Sequence, residues 1–122
     1  MSEELTKQVD SNGTIRYYLH GVPHREGAPA VIFPDGGEIW FYHNTIHRDD
    51  GGPAVSYASG YKMWCRYGKR HRLDGPAVEN SPIPTHQWWI DGKYYETEKE
   101  WEKARCPSIE EAIKMFKEVQ HE

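Results

Sequence analysis

Apolar and polar residues follow a pattern between residues 13 and 95 that returns every 23 or 24 residues. A large aromatic residue opens each copy, at Tyr17, Trp40, Trp64 and Trp88, and a Gly or Asn stands four residues after it. Gly and Asn tolerate the positive φ that a tight hairpin turn requires. The pattern therefore predicts that each copy contains an aromatic strand that ends in a hairpin turn.

In the first three copies the turn is followed by a His-Arg pair and then by the sequence Pro-Ala-Val, which begins at Pro29, Pro53 and Pro76. Pro suits the start of a strand because it has no N–H to donate to the ladder. An Ala at a fixed place indicates a position crowded by the neighbouring aromatic residue. The second copy has one extra residue before its Pro, within residues 49–52. Each copy thus reads strand, turn, strand, turn.

The pattern changes to helical spacing after residue 95. Thr97 with Glu100, and Ser108 with Glu111, have the spacing of a capping box, which marks the start of a helix. The first box predicts a short helix over residues 98–105. The second precedes an apolar stripe at helical spacing, made of Ile109, Ala112, Ile113, Phe116 and Val119. We expect both helices to cover the last hairpin.

These elements predict a mainly β fold, α+β overall. It consists of stacked antiparallel β-hairpin repeats, three to four copies of 23–24 residues, with two C-terminal helices as a cap. A chain of 122 residues is long enough for one structural domain. Within it we expect an N-terminal segment over residues 1–12, the hairpin array over 13–95 and the helical cap over 96–122.

Composition narrows the range of partners and locations. The formal net charge is −4, so a basic face for free nucleic acid is not expected. No run reaches the roughly 20 apolar residues of a membrane helix. Cys65 and Cys106 form no C-x-x-C pair, and two reduced thiols are typical of the cytoplasm, where we expect the protein to reside.

The third copy resembles a known repeat. From Trp64 to Val78 it reads Trp-Cys-Arg-Tyr-Gly-Lys-Arg-His-Arg-Leu-Asp-Gly-Pro-Ala-Val. This segment resembles the MORN-type repeat, and its His-Arg-x-Asp-Gly-Pro-Ala-Val version is similar to repeats of small bacterial and bacteriophage proteins and of antitoxin-like proteins. The resemblance covers residues 15–95. The chain departs from the usual MORN pattern by having Arg and then Pro-Ala where Gly-rich turns are common. Lipid binding, proposed for some MORN proteins, is not expected here, because the sequence has no polybasic helix.

The resemblance implies hairpins that stack into an elongated, twisted antiparallel sheet and serve as an interaction surface. It also implies a non-catalytic protein that binds a macromolecular partner, as a phage-type inhibitor of a host protein or an antitoxin does. Such a protein would act in the cytoplasm, that of the host if it is phage-encoded. A protein is the expected partner, and self-association of the chain stays open.

The His-Arg pairs supply the first candidate site. Stacked hairpins would place Arg25, Arg48 and Arg72 in one row, which suits bidentate recognition of phosphate or carboxylate groups. In the alternative, structural interpretation each Arg pairs with an acid such as Asp50 or Asp74, and each His bonds a turn carbonyl. The structural interpretation is favoured because a feature found in every copy usually serves the repeat.

A second candidate is the basic stretch of the third copy, which contains Lys69, Arg70, His71 and Arg72. A solvated turn explains Lys69 and Arg70, but the same charges suit an acidic partner surface or a nucleotide. We expect the row to be partly structural, with its end from Arg70 to Arg72 reaching the partner.

The aromatic residues predict two apolar faces. Tyr17, Trp40, Trp64 and Trp88 are expected to form the core column of the repeats. Strand alternation places their neighbours, among them Phe41 and Trp89, on the opposite face. That face needs a cover, either a partner or a second copy, which makes Phe41 and Trp89 candidate binding residues.

Catalysis has little support in the sequence. A P-loop, a nucleophile elbow and an H-E-x-x-H motif are all absent, and Cys65 lies in a predicted strand as a packing residue. No cofactor or metal is expected, because the pairs His20/His24 and His43/His47 span predicted turns. The sequence therefore predicts a non-catalytic binding protein for a macromolecular partner. The alternative is a binder of a small anionic ligand, such as a nucleotide, through the Arg/His row and the aromatic residues.

Overall fold

The computed structural model describes residues 4–82 and 84–105, which form a mainly β structure with one α-helix near its C-terminal end. The strands are β1 Thr6–Val9, β2 Ile15–Leu19, β3 Val22–Pro23, β4 Val31–Ile32, β5 Glu38–Ile39, β6 Phe41–Tyr42, β7 Thr45–Ile46, β8 Val55–Ser56, β9 Lys62–Met63, β10 Cys65–Arg66, β11 Lys69–Arg70, β12 Val78–Glu79, β13 His86–Ile90 and β14 Lys93–Tyr95. The helix is α1, Glu98–Arg105. The predicted mainly β class is confirmed.

All strand pairs are antiparallel. The main sheet has the order β1-β2-β4-β5-β8-β9-β12-β13-β14, with β3 paired to β2, and β6-β7 and β10-β11 are separate hairpins. Each strand that begins at a Val of a Pro-Ala-Val segment lies between two strands of the aromatic runs. Val55, for example, pairs with Ile39 on one side and with Met63 on the other.

The aromatic runs break at their anchors in the second and third copies. β5 ends and β6 begins on either side of Trp40, and β9 and β10 do the same around Trp64. At the break the N–H of Trp64 donates to the carbonyl of Ala77 at 2.7 Å, and its carbonyl accepts from the N–H of His71 at 3.0 Å. The first two copies make the same pair of bonds through Tyr17 and Trp40. The Ala residues of all three Pro-Ala-Val segments are completely buried: Ala30, Ala54 and Ala77.

The hairpin turns have two consecutive residues with positive φ, as in a type I′ turn. In the third copy φ is 49° at Tyr67 and 80° at Gly68, and the second copy has 47° at His43 and 66° at Asn44. The Gly and Asn positions were predicted from their tolerance of positive φ. The bulkier residue before each of them was not, because a side chain in this conformation needs support from elsewhere in the fold.

The helix α1 begins at the predicted capping box, where the Thr97 hydroxyl accepts a hydrogen bond from the N–H of Glu100 at 3.1 Å. Its buried Trp101 packs against Trp88, with 4.6 Å between ring centroids. Among the residues described there is one C-terminal helix, where two were predicted. The second predicted helix, after Ser108, lies outside the described residues.

Candidate functional site

The arginines of the predicted row fold back onto the aromatic anchors of their own copies. The distance from the guanidinium carbon to the ring centroid is 3.9 Å for Arg25 on Tyr17, 3.8 Å for Arg48 on Trp40 and 3.6 Å for Arg72 on Trp64. Each pair is a cation–π contact. One face of each guanidinium is therefore covered by a ring.

The hydrogen-bond donors of these arginines are also engaged. Arg72 donates to the carboxylates of Asp74 at 2.8 Å and Glu79 at 2.7 Å, and to the carbonyl of Pro76 at 3.0 Å. Arg48 donates to Asp50 at 2.6 Å and to the Pro53 carbonyl at 3.1 Å. The Arg48 and Arg72 side chains are only 21% and 18% exposed. These contacts favour the structural interpretation of the row over anion recognition.

The acid of the motif is held ionised by its arginine. The hydrogen bond from Arg48 lowers the pKa of Asp50 below its ordinary value, although desolvation acts in the opposite direction. Arg25 lacks such a partner in the first copy and donates only to the Pro29 carbonyl at 3.2 Å within the described chain. The arginines of the row thus form ion pairs in the second and third copies and a carbonyl contact in the first.

In the second and third copies the Gly before the motif Pro leaves room for the guanidinium, whereas the first copy has Ala28 at that place. A Cβ placed on Gly75 would lie 2.8 Å from the guanidinium carbon of Arg72, a distance that real Cβ atoms do not adopt. Gly52 stands under Arg48 in the same way. In the third copy Asp74, Gly75 and Pro76 therefore form a socket for Arg72, in which Asp pairs with the charge, Gly gives space and Pro supplies a carbonyl. Asp50, Gly52 and Pro53 play the same parts for Arg48.

The histidines of the pairs connect one copy to the next. The Nδ1 atom of His47 accepts a hydrogen bond from the N–H of Tyr67 at 2.9 Å, and that of His71 accepts from Asp91 at 2.8 Å. His24 accepts from His43 at 2.7 Å. A turn carbonyl was the expected partner of each His, whereas the structure shows the Nδ1 atom of each ring accepting from a turn N–H. The donors are the first positive-φ residues of the turns, so the histidines supply the support that these residues need.

His71 therefore lies in an internal contact. Burial lowers the pKa of His71 below the ordinary value of 6.5. The positive charge of Arg66 also lowers this pKa, whereas the negative charge of Asp91 raises it. A neutral imidazole agrees with an Nδ1 atom that accepts a hydrogen bond. Four of the predicted binding residues thus make contacts inside the fold: Arg25, Arg48, His71 and Arg72.

The other predicted residues gather elsewhere. Lys69, Arg70 and Trp89 line an open pocket of about 630 Å³, and a second pocket of about 600 Å³ adjoins it. The two share Ile46, Met63 and Arg70. We call the combined surface the Met63 groove.

The rest of the groove is largely apolar. Its lining includes Ile39, Val55 and Tyr61, and it contains no carboxylate among the described residues. Phe41 does not line the groove, but it pairs in the β6-β7 hairpin with Ile46, which does. Sequence reasoning missed Ile39 and Met63. Strand alternation carried the signal. Ile39 stands two residues before Phe41, and Met63 stands two residues before Cys65, which follows Trp64 as Phe41 follows Trp40.

Cys65 lines the same groove as a packing residue. Desolvation raises the pKa of its thiol to about 11, although Arg70 acts in the opposite direction. A thiol with such a pKa carries little thiolate at neutral pH and is a poor nucleophile. The described residues contain no group of three or more His, Cys, Asp or Glu placed to hold a metal ion. Within the same ranges, no helix is long and apolar enough to cross a membrane.

Comparisons of the chain with protein-family models, curated proteins and solved structures find no match.

Proposed function

We propose that the protein is a non-catalytic binding protein and that a partner protein docks in the Met63 groove. The shape and lining of this groove are the main support for the proposal. It is open and apolar, and it combines a Trp, an Arg and a Met, which are enriched at protein interfaces. Met63 has the conformational freedom to adapt to an incoming side chain.

The Arg row contributes stiffness to this arrangement. Since the His and Arg contacts recur from copy to copy, they support the proposal that the chain is a MORN-like array of stacked hairpins. A rigid array holds the groove in shape before the partner arrives, which reduces the entropy lost on binding. An inhibitory or antitoxin-like role, through stoichiometric capture of a partner, follows from the resemblance and belongs to the same proposal.

The alternative, a small anionic ligand on the Arg/His row, has weaker support. Arg48 and Arg72 already donate to carboxylates and carbonyls, so an incoming phosphate would have to displace those partners. Calorimetric titration with a panel of nucleotides tests it, and saturable binding abolished by Arg48→Gln would favour this alternative.

The proposal can be tested by capturing a partner on the wild-type protein and measuring its binding to two variants with matched charge reversals. Lys69→Glu changes the groove, whereas Lys7→Glu makes the same change on β1, and both lysines are exposed. We expect a partner isolated on the wild-type protein from bacterial lysate to bind Lys7→Glu equally well and Lys69→Glu about tenfold more weakly. Equal binding to all three proteins would place the partner outside the groove and contradict the proposal.

A further inference from the structure

Arg70 differs from Arg48 and Arg72 of the row in its surroundings. Its Nε lies 3.4 Å from the sulfur of Met63 and its guanidinium carbon 5.0 Å from the ring centroid of Trp89. No carboxylate pairs with it in the part of the chain that the structure describes. Arg48 and Arg72, by contrast, each have an acid within 3 Å. Arg70 is therefore a cation held among apolar and aromatic groups without a counter-charge.

The position of Arg70 within the Met63 groove is also particular. It is one of three residues shared by the two pockets, together with Ile46 and Met63. A ligand that fills both pockets must pass over this junction. The pockets on either side have room for apolar side chains, and Lys69 adds a second positive charge to one of them.

We infer that the groove recognises a peptide segment with an acidic residue between two apolar side chains, the carboxylate on Arg70 and one apolar side chain in each pocket. The inference rests on the proposed function and names the partner's chemistry. A guanidinium presents paired N–H donors that match a carboxylate in bidentate geometry, and stacking on Trp89 helps to orient it. Docking would also bury the charge of Arg70 together with an opposite one, whereas a purely apolar partner would bury it unpaired.

A basic or neutral segment fits less well. With two cations and no carboxylate in its described lining, the groove repels Lys and Arg side chains. Specificity for an acid over its neutral amide should therefore come from Arg70. The strength of binding should come mainly from the apolar side chains on either side.

The test is selection of a random peptide library displayed on phage, against the full-length protein and two variants. Arg70→Gln removes the charge at the junction. Arg66→Gln makes the same substitution on the paired strand, at an exposed residue that does not line the groove. Circular dichroism and urea unfolding establish that both variants fold.

We expect the wild-type protein and Arg66→Gln to enrich peptides in which Asp or Glu lies between two large apolar residues. Replacing that acid by its amide in a synthetic copy should weaken binding about tenfold for wild type, and the difference should vanish for Arg70→Gln. Added salt should weaken binding to wild type only where the acid is present.

Other outcomes overturn the inference. Enrichment of purely apolar peptides that bind wild type and Arg70→Gln alike would show that the groove binds without using Arg70, which leaves the proposed function standing. Enrichment of basic peptides, or no enrichment, contradicts the inferred chemistry directly. Whether a partner docks in the groove at all is tested separately, by the comparison of Lys69→Glu with Lys7→Glu.

Discussion

Two tryptophans in equivalent positions have different hydrogen-bonding states, and this difference can be measured. The indole N–H of Trp64 donates to the carbonyl of Gly51 at 3.0 Å. The indole nitrogen of Trp40 is buried and has no partner among the described residues. Gly51 belongs to the loop with the extra residue, and the loop after Arg25 is one residue shorter. The longer loop therefore supplies a carbonyl that the shorter one does not.

Trp64→Phe and Trp40→Phe remove the same atoms from the same kind of site. Both rings also carry a stacked arginine, at 3.6 and 3.8 Å. Trp64→Phe loses a hydrogen bond worth about 1 kcal/mol, and the carbonyl of the exposed Gly51 is left to water. Trp40→Phe removes a buried donor whose burial already costs about 1–3 kcal/mol. Trp64→Phe should therefore be the more destabilising change, by about 2 kcal/mol.

Urea unfolding followed by far-ultraviolet circular dichroism measures both free energies of unfolding, and equal m-values would show that the unfolded states are comparable. The greater burial of Trp64 acts in the same direction as the hydrogen bond, so it does not mask the effect. A Trp40→Phe variant at least as destabilised as Trp64→Phe would contradict this prediction.

Three further predictions concern the socket, the thiol and the histidine bond. Gly75→Ala should destabilise by about 1 kcal/mol in urea, because the added Cβ forces the guanidinium of Arg72 to shift within its ion pairs; an unchanged midpoint would contradict the socket. In a Cys106→Ser background, Cys65 should resist iodoacetamide at neutral pH until urea unfolds the chain, since burial raises the pKa of its thiol to about 11, and rapid labelling of the folded protein would count against this. Because the pKa of folded His71 is lowered from 6.5, the unfolded chain binds its proton more readily and stability should fall as pH drops below 6.5. Urea midpoints at about pH 7.5 and about pH 5 should differ less for His71→Asn, which keeps an acceptor but does not titrate.

Local signals in the sequence predict the strands, turns and helix start of this protein. Alternation in the aromatic runs, Gly or Asn at the turns and the capping box at Thr97 each act within a few residues, and the structure has strands, hairpin turns and a helix start at these places. Local signals suffice here because steric limits on φ and the unpaired N–H groups of a helix start depend on neighbouring residues.

The directions of the arginine side chains and the hydrogen bonds of the histidines depend on how the chain folds as a whole. Arg70 and Arg72 have the same side chain and stand two positions apart in the sequence. Yet Arg72 stacks on Trp64, whereas Arg70 lies over Trp89 in the Met63 groove. Which side a long side chain takes depends on the ring, acid and Gly that the folded chain brings to it. The bond from His47 to Tyr67 likewise joins residues 20 positions apart, so it exists only once two copies lie side by side.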